Sequence, residues 1–143
     1  MAQQAWDVGI LGATGMVGQQ LVKRLEAHPW FRLAWVAASE RSEGRLYGDT
    51  PWLLGGSAPE YSRGLRIEKP EPGRAPQLLF SALDAEAAAR YEHLFAGAGH
   101  VVVSNARTHR LADDVPLLIP EVNADHLDLL PAQRAARNWN GAI

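Results

Sequence analysis

The stretch VGILGATGMVG, Val8 to Gly18, places glycine at every third position: Gly9, Gly12, Gly15 and Gly18. Glycine loses more conformational freedom on folding than any other residue, so such a cluster needs a local reason. The residues from Trp6 to Leu11 form an apolar run that reads as a buried strand. After Gly15 the period changes. Val17, Leu21 and Leu25 recur four apart with Val22 beside them, while Gln19, Gln20, Lys23, Arg24 and Glu26 take the other face. That spacing predicts an amphipathic helix from Gly15 to His28, stopped near Pro29. A strand that turns into a helix leaves the first helical amides without internal acceptors, at the positive end of the helix dipole. Such a turn suits phosphate oxygens, and a side chain there would hold a diphosphate away. Gly12 and Gly15 are expected to permit the turn and the close approach, Gly18 to let the helix pack near the sheet, and Gly9 to serve packing within the strand. A lone glycine triplet could equally reflect tight packing alone. The strand before it and the helix after it favour a nucleotide.

The remaining chain alternates in the same manner. RLAWVAAS, Arg32 to Ser39, predicts a second strand, apolar enough for a parallel sheet covered on both faces. Glu40 to Pro76 is rich in glycine and proline and reads as loops with one or two edge strands, LRIEK among them. QLLFSAL, Gln77 to Leu83, predicts a strand. Asp84 is placed to cap a helix reaching about Ala98, with Ala87, Tyr91, Leu94, Phe95 and Ala98 on its buried face. HVVVSN, His100 to Asn105, predicts the next strand, and a short helix capped by Asn123 is expected to close before Pro131. The whole, residues 1–143, reads as one α/β domain: a Rossmann-like, mostly parallel open sheet with helices on both faces. NWNGAI at the end reads as a turn into a further strand that has barely begun, so the domain is expected to be truncated before its last strand.

Composition narrows the functions open to such a fold. Apolar residues make up 47% and charged residues 21% of the 143, the profile of an ordinary globular domain. The net charge of -2 and singly scattered Arg and Lys give no footprint for nucleic acid or for an anionic membrane. No apolar run spans a bilayer, and MAQQAWD has neither the basic start nor the apolar segment of a secretory leader, so a cytoplasmic location is expected. There is no cysteine, which removes disulfides, thiolate metal sites and any thiol nucleophile from these residues. His28, His93, His100, His109 and His126 show no paired ligand spacing; surface or capping roles are expected, and no metal.

The end of the second strand decides between coenzymes. An acid there holds the ribose 2′-hydroxyl of NAD, whereas an arginine accommodates the 2′-phosphate of NADP. ASERS offers Ser39, Arg41 and Ser42, a guanidinium with two hydroxyls, which suits a phosphate. Glu40 and Glu43 could point to solvent or bind a hydroxyl instead. NADP is favoured.

Separated motifs then converge. GATGMVG, ASERSEGR, FSALD, SNARTHR, DDVPLLIPEVN and WNGAI occur in the order seen in aspartate-semialdehyde dehydrogenase. The chain resembles the archaeal and fungal branch of that family over essentially its whole length, and only the N-terminal, cofactor-binding portion of the longer enzyme. SNARTHR with IPEVN is the specific part; the glycine motif is shared with many nucleotide proteins. The resemblance implies an oxidoreductase that reduces L-aspartyl phosphate with NADPH to L-aspartate 4-semialdehyde, towards lysine, methionine and threonine. It implies that Thr14, Gly15, Met16 and Val17 contact the coenzyme phosphates and that Arg41 and Ser42 contact the 2′-phosphate. Ser81, Ala82 and Leu83 would border the pyrophosphate and nicotinamide side. Arg110 would hold the substrate phosphate, with Asn105 lining the same mouth. The family's nucleophilic cysteine belongs to a turn expected just after WNGAI, and its acid/base histidine lies further on. No catalytic residue is therefore assigned within these 143 residues, and the chain alone is expected to be inactive. The complete family enzyme is expected to be a homo-oligomer.

Two other readings compete. One is a stand-alone NADP-binding sensor; the Tyr-x-x-x-Lys of active short-chain reductases is missing, since Pro51, Leu65 and Phe95 follow Tyr47, Tyr61 and Tyr91 by four. The other is a related acyl reductase. Malonyl-CoA reductase shares the wording, and N-acetyl-glutamyl-phosphate reductase shares the glycine turn but is disfavoured by SNARTHR with IPEVN.

Overall fold

A computed structural model describes residues 5–143; the MAQQ part of the leader reading lies outside them. Five parallel strands form one sheet in the order β3-β2-β1-β4-β5. They are β1 (Trp6–Leu11), β2 (Phe31–Ala37), β3 (Ile67–Glu68), β4 (Leu78–Ser81) and β5 (Val101–Ser104). The helices are α1 (Met16–Arg24), α2 (Glu60–Arg63), α3 (Ala85–Gly97), α4 (Pro120–Asn123) and α5 (Leu130–Arg137), with 3-10 turns at Tyr47–Asp49 and Ala124–Leu129. None of them is long and apolar enough to cross a membrane.

Alternation along the strands divides the core into two layers. Val8, Ile10, Leu33 and Val36 face Val22 and Leu25 around α1, together with Tyr47 and Ile67. Leu11, Trp35, Ala37, Leu79 and Val102 face Phe95 of α3. Helices therefore cover both faces, as expected. The pairing of β1 with β2 shifts register between Val8 and Gly9, so Gly9 lies opposite Trp35. A Cβ on Gly9 would stand 2.8 Å from the Trp35 ring and 2.7 Å from Leu79, which confirms its packing role.

Several elements differ from expectation. α1 ends at Arg24, and Ala27 with φ 52° breaks it before Pro29. Val17 turns to solvent, whereas Gln19, expected on the polar face, is fully buried. Asp84 does cap α3, accepting from the Ala87 amide at 2.9 Å. Its buried face is Ala88, Glu92, Phe95 and Ala96, with Tyr91 packed partly buried against the same core as expected, whereas Leu94 and Ala98 face solvent and Ala87 is only half-buried, because its many alanines leave the helix rotation to the partners it meets. The short helix expected after Asn123 is the 3-10 turn Ala124–Leu129, which closes before Pro131 as expected, but Pro131 is not merely its stop. It stands in the first turn of α5, where its missing N–H breaks no helical bond. Asn123 makes no cap bond to the turn that follows; its side chain accepts from the Ile119 amide at 2.6 Å and donates to the Leu117 carbonyl at 2.7 Å.

The chain end behaves as WNGAI suggested. Ala142 forms a parallel bridge to Val101, accepting from the Val102 amide at 2.8 Å and donating to the His100 carbonyl at 3.0 Å. Gln133 grips Ile143 from α5, with 3.0 Å bonds to both its amide and its carbonyl. A sixth strand position thus opens beside β5.

Candidate functional site

Chain direction across the sheet reverses at β1: β2 and β3 extend to one side of it, β4 and β5 to the other. Ligands of open parallel sheets lie beyond the carboxyl ends of the strands at such a switch point. The glycine turn occupies that place. Gly12, with φ 76°, and Ala13 donate to the Ala37 carbonyl at the end of β2, at 2.9 and 3.0 Å. On the other side the Ala82 amide donates to the Leu11 carbonyl at 2.8 Å, and a Cβ on Gly12 would stand 2.8 Å from the Ala82 oxygen. Only glycine suits both that φ and that approach.

Past the turn, Gly15 caps α1 without any side-chain bond, and no acid stands in the first turn. The first backbone bond of the helix runs from the Gln19 amide to the Gly15 carbonyl at 2.9 Å. The amides of Met16, Val17 and Gly18 precede it and have no acceptor within the helix. A Cβ on Gly15 would meet only the Gly12 oxygen, at 3.5 Å, so this position opens outward. On Gly18 it would run into the Gly12 oxygen and the Ala13 Cα. The Gly18 side of the helix therefore presses on the turn's own backbone, a closer contact than the sheet packing expected for it. Met16 and Val17 stay exposed at the mouth and Thr14 is half-buried.

Two buried side chains that the sequence reading did not single out fix this turn. Tyr47 donates its hydroxyl to the Ala13 carbonyl at 2.8 Å, and burial pushes its phenol far above the ordinary value, so it remains a donor. Gln19 donates to the Thr14 carbonyl at 3.2 Å and the Pro51 carbonyl at 2.8 Å, and accepts from the Leu53 amide at 2.7 Å. Both tie the segment after β2 back to the glycine turn. Spacing gives no signal for either, because Ala13 lies 34 residues from Tyr47, and Pro51 and Leu53 lie 32 and 34 residues from Gln19.

The loop carrying Ser39, Arg41 and Ser42 begins two residues beyond Ala37, next to the glycine turn. Its backbone closes through a 2.9 Å bond from the Ser42 amide to the Ser39 carbonyl. Arg45 and Arg66 spend their guanidinium groups on the carbonyls of Asp49 and Gly44. Glu43 faces Lys69 at 3.8 Å. Arg41 is exposed and makes no hydrogen bond or ion pair among the described residues. Of the cations here, it is the one left for a ligand.

Ser81 ends β4 almost fully buried, with a hydroxyl that has no partner among the described residues; Ala82 and Leu83 follow half-buried. The Asn105 amide donates to the Ser81 carbonyl at 2.9 Å, so the SNARTHR loop adjoins this edge. Arg110 and Asn105 are both exposed, and the guanidinium reaches the Asn105 carbonyl at 3.5 Å. The backbone thus brings the glycine turn, the end of β4 and the start of the SNARTHR loop together, while both arginines are exposed, Arg41 without a partner among the described residues and Arg110 against the Asn105 carbonyl. Two histidines are not at the surface as expected. His100 is buried and bonded to the Pro76 carbonyl at 2.8 Å, and His109 faces a buried carboxylate.

A turn with freed amides, a cradle closed to side chains and an orphaned hydroxyl beside it fits a dinucleotide. Known proteins agree. The family profile "Semialdehyde dehydrogenase, NAD binding domain" matches residues 7–130. The aspartate-semialdehyde dehydrogenase of Archaeoglobus fulgidus is 44% identical over 140 residues, 96% of this chain and 41% of that protein. The Candida albicans aspartate-semialdehyde dehydrogenase structure with NADP superposes with a TM-score of 0.84 at 35% identity, covering 95% of this chain and 40% of that one. The Vibrio cholerae aspartate semialdehyde dehydrogenase II complexed with ASA gives a TM-score of 0.70 at 28% identity, covering 97% and 41%. The chain spans about 40% of the length of the relatives it matches.

Proposed function

The chain belongs to the semialdehyde dehydrogenase family, whose NAD-binding domain it carries, and on that premise we propose that it is the NADP-binding part of an aspartate-semialdehyde dehydrogenase. The reaction served is reduction of L-aspartyl 4-phosphate to L-aspartate 4-semialdehyde, for synthesis of lysine, methionine and threonine. One observation carries the coenzyme reading: a glycine turn with unsatisfied amides at the sheet's switch point.

Gly12, Thr14, Gly15, Met16 and Val17 hold the diphosphate, with the backbone amides as donors. Ser39, Arg41 and Ser42 hold the 2′-phosphate; the unengaged guanidinium of Arg41 supports this over a hydroxyl contact by Glu43, which already faces Lys69. Ser81, Ala82 and Leu83 border the nicotinamide side. Bound there, the coenzyme supplies hydride. Asn105 and Arg110 receive the substrate's phosphate. With no cysteine among its 143 residues, the chain binds coenzyme without forming the acyl-thiol link its family resemblance implies. Residues 1–143 act as one coenzyme-binding domain, and the whole enzyme is a cytoplasmic homo-oligomer.

Calorimetric titration with NADPH and NADH tests this. The native chain is expected to prefer NADPH. A hydrogen bond to a charged group contributes about 1.5–3 kcal/mol, so Arg41→Ala should cost roughly tenfold or more in NADPH affinity and leave NADH unchanged. An unaltered preference would move the 2′-phosphate site away from Arg41.

A further inference from the structure

Beneath the SNARTHR loop, on the α3 face of the sheet, lies a carboxylate that the coenzyme reading does not use. Glu92 is fully buried. Its Oε1 accepts from the Ser104 hydroxyl at 2.6 Å, and the Ser104 oxygen in turn accepts from the Ala106 amide at 3.1 Å. Its Oε2 has no hydrogen-bond partner among the described residues and stands 3.6 Å from His109 Nε2, a buried atom that is equally unpartnered among them. That separation exceeds a hydrogen bond by a few tenths of an ångström. A buried charge left half-satisfied is costly, so the two atoms gain by closing on one proton. Between Ser104 and His109 lies Asn105, and Arg110 follows directly. The Thr108 hydroxyl fastens the middle of the loop to the Ala85 carbonyl at 2.9 Å.

We propose that Glu92 is a positioning residue for this loop, holding its start through Ser104 and its end through His109, and so aiming Asn105 and Arg110 at an anionic substrate. The inference rests on the substrate-phosphate reading of Arg110. The charged and titratable groups around His109 are Glu92 and His93 on α3, Asp114 after the loop, and Arg137 on α5. Glu92 and Asp114 favour its protonated form; Arg137 and His93 oppose it, and burial opposes it most.

The grip has two ends, and two variants of the chain separate them. Amide hydrogen exchange and the ring titration of His109, both followed by NMR, are the readouts, with Phe95 and Val102 as internal controls for the fold. Glu92→Gln is expected to speed exchange at Asn105, Ala106 and Arg110 at least several-fold and to lower the His109 midpoint, because the favouring charge is gone. His109→Gln keeps the buried carboxylate and should loosen Arg110 while leaving Ala106 protected. Inorganic phosphate is then titrated into each protein. In the native chain it should shift the Arg110 signals, and in Glu92→Gln the response should weaken several-fold. An unmoved His109 midpoint, with equal exchange across the loop in both variants, overturns the positioning role. Phosphate that ignores Arg110 in the native chain, where the loop still loosens in Glu92→Gln, overturns the substrate reading instead.

Discussion

Gly18 and Gly15, three residues apart, have opposite surroundings, and substitutions at each report different things. A methyl group on Gly18 would press into the Gly12 oxygen and the Ala13 Cα, which are backbone and cannot swing aside. Overpacking of this kind costs about 1–3 kcal/mol, so Gly18→Ala should lower the denaturation midpoint clearly. On Gly15 the methyl meets only an ordinary contact at 3.5 Å and the backbone is extended, φ -77°, so Gly15→Ala should cost only the preference of a helix N-cap for glycine over alanine, less than the clash at Gly18. It should nevertheless weaken coenzyme binding, measured by titration, because that methyl occupies the outward side. The glycines were legible in the sequence because backbone geometry alone demands them. Gln19 and Glu92 were not. A polar residue on a helix reads as a solvated face until its partners are known, and theirs lie at Pro51 and Leu53, and at Ser104 and His109.

At the scale of elements, the main strands and their alternation with helices followed from apolar runs, and helix rotation did not. α3 contains alanines at five of its positions, Ala85, Ala87, Ala88, Ala89 and Ala96, which fit against a sheet or face water with little difference in energy. Phe95 and Glu92 fix its rotation through contacts that period alone does not reveal. Similarly, Pro131 reads as a stop in isolation and serves as a start once α5 forms. The element best suited to a test is the closure of the chain end onto β5. Gln133 is fully buried and bonds the Asp114 carbonyl at 2.9 Å as well as both backbone groups of Ile143. Gln133→Ala leaves those groups unsatisfied at about 1–3 kcal/mol each, less whatever water restores. Hydrogen exchange at Ile143 should rise to the solvent rate while Leu79, in the sheet centre, stays protected; equal protection at Ile143 would assign the closure to the Ala142 bridge alone.

For the molecule as a whole, acid should be the destabilising direction. Burial holds His109 below the ordinary histidine value, so the unfolded chain binds its proton more readily than the folded one. Its contribution is complete above about pH 6.5 and declines as pH falls towards the depressed folded value. Arg137 holds the Asp114 carboxyl below its ordinary range, which adds a second loss only at much lower pH. Urea denaturation from pH 7.5 to 5 should show stability falling in the native chain and falling less in His109→Gln; identical slopes would mean that His109 is not buried in the folded state.

Most directly, everything turns on whether the amides at the start of α1 receive phosphate oxygens. Amide NMR of the native chain during titration with NADPH measures this residue by residue. The largest shifts should fall on Gly15, Met16 and Val17, with Gly12 and Ala82 beside them, and Gly15→Ala should suppress them. Saturable binding that leaves those amides unmoved and perturbs another face of the sheet would contradict the account.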